Sequence, residues 1–106
     1  MKSIVEIVCF KLADNATSEK LIAASEQSQK FVSTLPGFEY RSLSFDNDSN
    51  TWTDVVYWDS IENAKKAGEQ FVACPDCQPL MALIDPASVI MQHQTIMMSD
   101  LAAKYQ

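Results

Sequence analysis

Apolar and polar positions change their period along the chain, and the change separates predicted strands from predicted helices. Short segments rich in β-branched and aromatic residues predict strands at 3–12, 38–45, 51–58 and 88–96. Two longer segments repeat apolar residues every three or four positions and predict helices over about 18–34 and 60–75. A short helical turn is predicted at 79–84, and the tail at 99–106 is either another short helix or a frayed end.

Polar segments and segments containing proline or glycine separate these elements. Leu35-Pro36-Gly37 ends the first helix, and the cluster at 46–50 is a five-residue connection that joins the second and third strands in a hairpin. The expected helix caps are Thr17 or Ser18 and Asp59 or Ser60.

The resulting order, β-α-β-β-α-β, predicts an α+β fold of the ferredoxin-like type. This fold is a two-layer sandwich in which an antiparallel sheet with strand order 4-1-3-2 packs against both helices. A chain of 106 residues without internal repeats or linkers is expected to form a single domain over 1–106.

Both faces of the predicted sheet are apolar, although a two-layer domain should leave one face polar and wet. The first strand alternates two apolar sets, Ile4, Val8 and Phe10 against Val5, Ile7 and Cys9. The third and fourth strands show the same pattern. We therefore expect a homodimer in which a second copy covers the outer face, the alternative being a monomer with an exposed apolar face.

Composition excludes several classes of partner. An apolar content of 47% with 21% charged residues is typical of a globular chain, and the net charge of −6 with few clustered bases argues against nucleic acid. No apolar run is long enough to cross a membrane. Glu6 interrupts the apolar N-terminal stretch and no cleavage site follows it, so we expect a cytoplasmic protein with reduced cysteines.

Three segments together resemble a known superfamily: IVEIVCFKL at 4–12, PGF at 36–38 and VYWDSIENAKKA at 56–67. They are similar to the dimeric α/β-barrel superfamily, which includes antibiotic-biosynthesis-type monooxygenases, stress-responsive A/B-barrel proteins and some polyketide cyclases. The resemblance covers about 3–96. It implies that two ferredoxin-like subunits form a dimeric α/β barrel and that Trp58 lines a pocket.

The sequence departs from this resemblance at the positions where related branches carry histidines. The stress-responsive and cyclase branch has a histidine four residues before the aromatic of its first strand, where this chain has Glu6. A His-Pro-x-His stretch after the second helix reads Cys74-Pro75-Asp76-Cys77 here. The second helix also lacks the histidine of the haem-degrading branch. Histidine-dependent cyclase chemistry and haem cleavage are therefore not expected.

The C-x-x-C pair at Cys74 and Cys77 has three interpretations: a redox dithiol, half of a zinc site, or two small packing groups. Only 29 residues follow Cys77, too few to complete a thioredoxin-like fold. A zinc site could draw on Cys9 and His93 as well, but no second C-x-x-C is present. We interpret the cysteines as packing groups, with Cys77 at a pocket rim as the resemblance implies, and we expect neither a metal nor a cofactor.

The candidate catalytic residues are Glu6 and His93. Glu6 is the only charged residue between Ile4 and Phe10, and His93 is the only histidine of the chain. Because the first and fourth strands are expected to be antiparallel neighbours, aligning their centres brings Glu6 close to His93 or Gln94. A register error of one residue would put the two on opposite faces and leave them as ordinary sheet positions.

The remaining candidates are apolar or amphipathic. The residues expected to bind a hydrophobic ligand are Tyr40, Trp58, Phe71, Cys77, Met81 and Met91, with core packing as the alternative. Asp54 either faces solvent at the edge of the sheet, which we expect, or joins the polar set of Glu6 and His93.

Two functions fit these residues. The first is a binding protein whose apolar pocket holds a hydrophobic small molecule, fatty-acyl-like or aromatic. The alternative is an enzyme, a cofactor-independent monooxygenase or a polyketide-cyclase-like protein that acts on an apolar aromatic substrate, with Glu6 or His93 removing a proton. The sequence favours binding, because titratable residues are few and the histidines of the related branches are missing.

Overall fold

The structure, a computed structural model, describes residues 3–100. Its strands are β1 (Ile4–Phe10), β2 (Phe38–Asp46), β3 (Thr51–Trp58) and β4 (Ile90–Thr95), and its helices are α1 (Ser18–Val32), α2 (Ile61–Ala73) and α3 (Gln78–Ala82). Short 3₁₀ turns precede α3 and β4, at Pro75–Cys77 and Pro86–Ser88. The predicted element order is confirmed, and most of the predicted tail helix lies outside the described residues.

The helices begin where the sequence places capping side chains. The Thr17 hydroxyl accepts a hydrogen bond from the backbone N–H of Lys20 at the start of α1, and the Ser60 hydroxyl accepts one from Asn63 at the start of α2. Between α1 and β2, Gly37 has a φ of 84°, in the left-handed region. A Cβ atom there would lie 2.4 Å from Oδ1 of Asp59, so this turn requires glycine.

The four strands form an antiparallel sheet in the order β2-β3-β1-β4, which confirms the predicted order 4-1-3-2. The β2–β3 hairpin is tighter than predicted, because Asp46 pairs with Thr51 and the connection shrinks to residues 47–50. Arg41 therefore pairs with Val56. A bulge between Phe38 and Tyr40 shifts the register again at the other end of β2.

The sheet has an inner face, which packs against the helices, and an open face. Buried inner-face residues, among them Phe10, Trp52, Val56 and Trp58, contact residues of α1, α2 and α3 in two apolar clusters. The open face carries an apolar set in the same strands, Val5, Ile7, Cys9, Tyr40, Val55, Tyr57 and Ile90. No described residue covers Ile90, which is 61% exposed. The two-sided apolar pattern predicted from the sequence is thus present in the fold.

Candidate functional site

A cavity of about 310 Å³ lies between the inner face and the helices. Its walls are mainly apolar and include Phe10, Val56, Trp58, Phe71, Leu80 and Met91. Among the described lining residues, the charged ones are Glu6, Arg41 and Asp54. A mainly apolar cavity with a few polar groups is the usual form of a small-molecule site.

The cavity opens beside β4. The lining residues Val72, Met81, Val89 and Met91 are also exposed, so they mark the mouth. Inner lining residues such as Trp58 are almost completely buried, with 2% of Trp58 exposed. A ligand would therefore enter between α2, α3 and β4 and reach the polar groups at the sheet.

Glu6 and His93 are directly opposite each other on β1 and β4. Their side chains meet on the inner face, with 3.4 Å between His93 Nε2 and Glu6 Oε2, and the Glu6 side chain is 12% exposed. The predicted proximity of this pair is confirmed. Glu6 lines the cavity, and His93 contacts the Glu6 carboxylate from the edge strand β4.

Burial raises the pKa of the Glu6 carboxyl above its usual value, and the negative charge of Asp54 acts in the same direction. The positive charge that His93 carries when protonated opposes this rise, and so does the Trp58 indole N–H. A carboxyl group with a raised pKa in an apolar cavity is a stronger base than an ordinary carboxylate and is suited to accept and return a proton.

Arg41 and Asp54 form an ion pair at the same cavity. Arg41 Nε donates to Asp54 Oδ1 at 3.1 Å and Nη2 donates to Oδ2 at 2.8 Å. The two side chains are only 7% and 14% exposed. The expectation that Asp54 faces solvent was therefore wrong: its side chain is on the inner face, where Arg41 can reach it.

The indole N–H of Trp58 is buried and has no hydrogen-bond partner among residues 3–100. The Glu6 carboxylate is close enough for this N–H to lower the Glu6 pKa, but the two do not reach hydrogen-bonding geometry. The indole ring itself is fixed by an edge-to-face contact with Phe38, with 5.9 Å between the ring centroids. A buried donor without a partner is costly, and an acceptor atom on a bound ligand would satisfy it.

The predicted ligand-binding residues divide into two groups. Trp58, Phe71, Met81 and Met91 line the cavity. Tyr40 lies instead on the open face, where it is 42% exposed and packs edge-to-face against Tyr57. Tyr40 and Arg41 are adjacent in β2, so their side chains point to opposite faces of the sheet. The Tyr40 side chain therefore points away from the cavity.

Cys77 is completely buried and does not appear in the cavity wall, so it packs beneath the site rather than at its rim. Burial raises the pKa of its thiol to about 12, and the neighbouring Cys74 thiol adds to the effect. A thiol of this kind stays protonated at neutral pH and is a poor nucleophile and metal ligand. Within residues 3–100, no three His, Cys, Asp or Glu side chains are grouped to hold a metal ion.

Sequence reasoning missed the Arg41–Asp54 pair and the unpartnered Trp58 N–H. The register of the β2–β3 hairpin decides whether Arg41 and Asp54 share a face, so it is the feature from which the pair could have been found. With a five-residue connection, Arg41 would oppose Val55 and face away from Asp54. Pairing Asp46 with Thr51 moves Arg41 opposite Val56 and brings it onto the inner face.

No protein-family model matches the sequence, and no curated protein matches it. Solved structures do match the fold. The chain is similar to SnoaB, a cofactor-independent oxygenase from Streptomyces nogalater, with 16% identity, a TM-score of 0.69 and coverage of 94% of this chain and 96% of that one. It is also similar to a putative antibiotic biosynthesis monooxygenase from Bordetella bronchiseptica, with 15% identity, a TM-score of 0.73 and coverage of 92% and 100%.

A third match is Rv0793 from Mycobacterium tuberculosis, with 14% identity, a TM-score of 0.68 and coverage of 92% of this chain and 98% of that one. Fold and cavity together define a ferredoxin-like α+β protein with an internal site. More narrowly, the chain has the fold of antibiotic biosynthesis monooxygenase-like proteins, as the sequence resemblance predicts. Identities this low establish the fold and not the activity. None of the helices within residues 3–100 is long and apolar enough to span a lipid bilayer.

Proposed function

We propose that the protein is a cofactor-independent oxygenase that acts on an apolar, fused-ring aromatic substrate carrying a carbonyl group. The observation that carries this proposal is the Glu6–His93 pair, which sits at the polar end of a cavity that is otherwise mainly apolar. The sequence alone favours a binding protein. The register of β1 and β4 favours an enzyme, because it places Glu6 directly opposite His93. The likeness in fold to SnoaB, described as a cofactor-independent oxygenase, supports the same choice.

The reaction would start with proton transfer. The Glu6 carboxylate takes a proton from a ring methylene of the substrate, and His93, with its Nε2 3.4 Å from Glu6 Oε2, holds the carboxylate in its working position. Negative charge develops on the substrate carbonyl oxygen as the carbanion delocalises. The unpartnered Trp58 N–H is the donor available to that oxygen, and a preorganised donor of this kind stabilises the developing charge.

Dioxygen then completes the oxidation. The carbanion gives one electron to O₂, and the resulting superoxide and substrate radical combine to form a C–O bond. Glu6 returns its proton to the peroxide. Loss of water then converts the original methylene into a carbonyl, so that one O₂ oxidises one CH₂ group to C=O and releases one H₂O.

The test is oxygen consumption with anthrone, a planar three-ring molecule with one methylene and one carbonyl. Wild-type protein should consume O₂ and form anthraquinone above the uncatalysed rate. Removal of the base in Glu6→Gln should lower kcat by about 10² to 10⁴-fold. Glu26→Gln, which removes an exposed carboxylate from α1, is the matched control and should keep wild-type activity. A wild-type rate equal to the uncatalysed rate would contradict this proposal.

Binding without chemistry is the second candidate, favoured by the apolar character of the cavity wall. In that case a long-chain fatty acid or anthrone should change the fluorescence of Trp58 while oxygen consumption stays at the uncatalysed rate. Titration of both ligands alongside the oxygen assay therefore separates the two functions.

We further propose that a second copy of the chain covers the open face and forms a homodimer. The open-face apolar residues of β1 and β3 form a continuous surface, and identical surfaces pair readily around a twofold axis. The likeness in fold to the dimeric α/β-barrel group supports the same arrangement.

A further inference from the structure

We propose that Arg41 is a positioning residue for the reaction: its two-point ion pair with Asp54 compensates a second negative charge in the cavity and leaves Glu6 as the group that exchanges a proton with substrate. This inference rests on the proposed role of Glu6 as the base. It concerns residues that neither touch the base nor belong to the apolar wall.

The geometry places these groups in one patch. His93, Glu6, Val56 and Arg41 are successive cross-strand partners in a single row that crosses β4, β1, β3 and β2. Asp54 lies two residues before Val56 on β3, so its side chain is on the same inner face. The row thus has His93 at one end and Arg41 at the other. The Glu6 carboxylate lies between them in the row, and the Asp54 carboxylate lies beside the row on β3.

Arg41 is held firmly in this position. Besides its two bonds to Asp54, its Nη1 donates to Ser28 Oγ at 2.9 Å and to Gln29 Oε1 at 3.4 Å. Ser28 is completely buried in α1, and its hydroxyl donates in turn to the Ser25 carbonyl at 2.8 Å. The guanidinium group is therefore anchored between the sheet and α1, and a planar fork of this kind fixes the carboxylate that it binds.

The charges that face Glu6 come from its two neighbouring strands. His93 on β4 favours the ionised carboxylate, and Asp54 on β3 disfavours it. The lining residues of α2 and α3 are uncharged: Ala67, Gly68, Phe71, Val72, Leu80 and Met81. Because apolar walls strengthen electrostatic interactions, a fully uncompensated Asp54 would hold the proton on Glu6 to a higher pH. Arg41 on β2 limits that effect.

The experiment is an NMR titration of the Glu6 side-chain carboxyl carbon in protein labelled with ¹³C-glutamate, combined with the pH dependence of kcat/KM for anthrone. Arg41→Met should raise the pH at which Glu6 titrates by about one unit or more. Asp54→Asn should lower it. The double variant should titrate between the two single variants. The acid limb of kcat/KM should move in the same directions, about tenfold in rate for each unit at a fixed acidic pH.

Glu26→Gln, at an exposed position of α1, is the matched control and should leave the Glu6 titration unchanged. Should Arg41→Met fail to fold because Asp54 is left unpaired, Asp54→Asn and the double variant decide the question. An unchanged Glu6 titration in Asp54→Asn, or a shift in the same direction for both single variants, would overturn the inference. Because the NMR titration needs no turnover, its failure is distinguishable from failure of the oxygenase proposal, which would appear as normal titration shifts without oxygen consumption.

Discussion

The two faces of the sheet differ in the kind of polar group that they carry. The inner face, which packs against helices, carries four charged or titratable residues, Glu6, Arg41, Asp54 and His93. The open face carries Ile7, Val55 and Tyr57 near its centre, next to uncharged polar residues such as Ser42, Thr53, Gln92 and Gln94. Charge is thus concentrated where it is costly to bury, and apolar surface is left where water would meet it.

Each departure indicates a different requirement. Charged groups on an inner face are retained when they perform chemistry or recognition, since structure alone is served better by apolar packing. Apolar side chains at the centre of an open sheet face are retained when another surface covers them. These requirements agree with the reaction site that we propose at the inner face and with the dimer interface that we propose at the open face.

The largest expected effect is on assembly. In light scattering at low micromolar concentration, wild-type protein should have twice the 11.8 kDa mass of the chain. Val55→Asp places a charge at the centre of the open face and should weaken the dimer by about 1,000-fold or more, because the charge would be buried without a partner. Ile22→Asp, on an exposed position of α1, should leave the dimer intact. A stable wild-type monomer would show that the open face is not an interface.

A smaller effect is expected from the unpartnered donor. Trp58→Phe removes the indole N–H but keeps an aromatic ring, so anthrone should bind about tenfold more weakly in calorimetry, the contribution of one hydrogen bond in an apolar site. 9,10-Dihydroanthracene has the same three-ring skeleton without the carbonyl. Its loss of affinity in Trp58→Phe therefore measures the effect of replacing indole by the smaller phenyl ring alone. An equal loss of affinity for both ligands would mean that Trp58 contributes packing alone.

The smallest effect is on stability and follows from the raised pKa of Glu6. Its pKa is above 4.5 in the folded protein, so its contribution to stability is fully present below that pH and is lost as the pH rises through the folded-state value. Glu6→Gln cannot titrate. In urea unfolding at fixed protein concentration, wild type should therefore lose stability relative to Glu6→Gln as the pH rises above about 4.5. A difference independent of pH would mean that Glu6 has an ordinary pKa.

Periodicity and strand order are robust to small errors, which is why the fold could be predicted from the sequence. Glu6 and His93 could also be paired, because aligning the centres of two neighbouring strands was sufficient. Arg41 and Asp54 could not be placed, because their meeting depends on a hairpin connection one residue shorter than the polar cluster suggests. Tyr40 was assigned to the pocket wall although its side chain points to the open face, directly after the bulge that separates it from Phe38.

The unpartnered Trp58 N–H has no sequence signal, since burial and the lack of an acceptor are properties of the packed structure. The same holds for Cys77, whose C-x-x-C spacing suggests reactivity, whereas complete burial keeps its thiol protonated. Sequence patterns locate candidate groups, but the packing around each group determines its chemistry.

The central claim is that Glu6 removes a proton from a substrate bound at the inner face. The most direct measurement is the absorbance of anthrone bound to the protein in the absence of oxygen, where the carbanion cannot react further. Wild-type protein should accumulate the anthrone anion at neutral pH, and Glu6→Gln should bind anthrone without forming it. The same yield of anion in both proteins, or none in wild type with anthrone bound, would contradict the account.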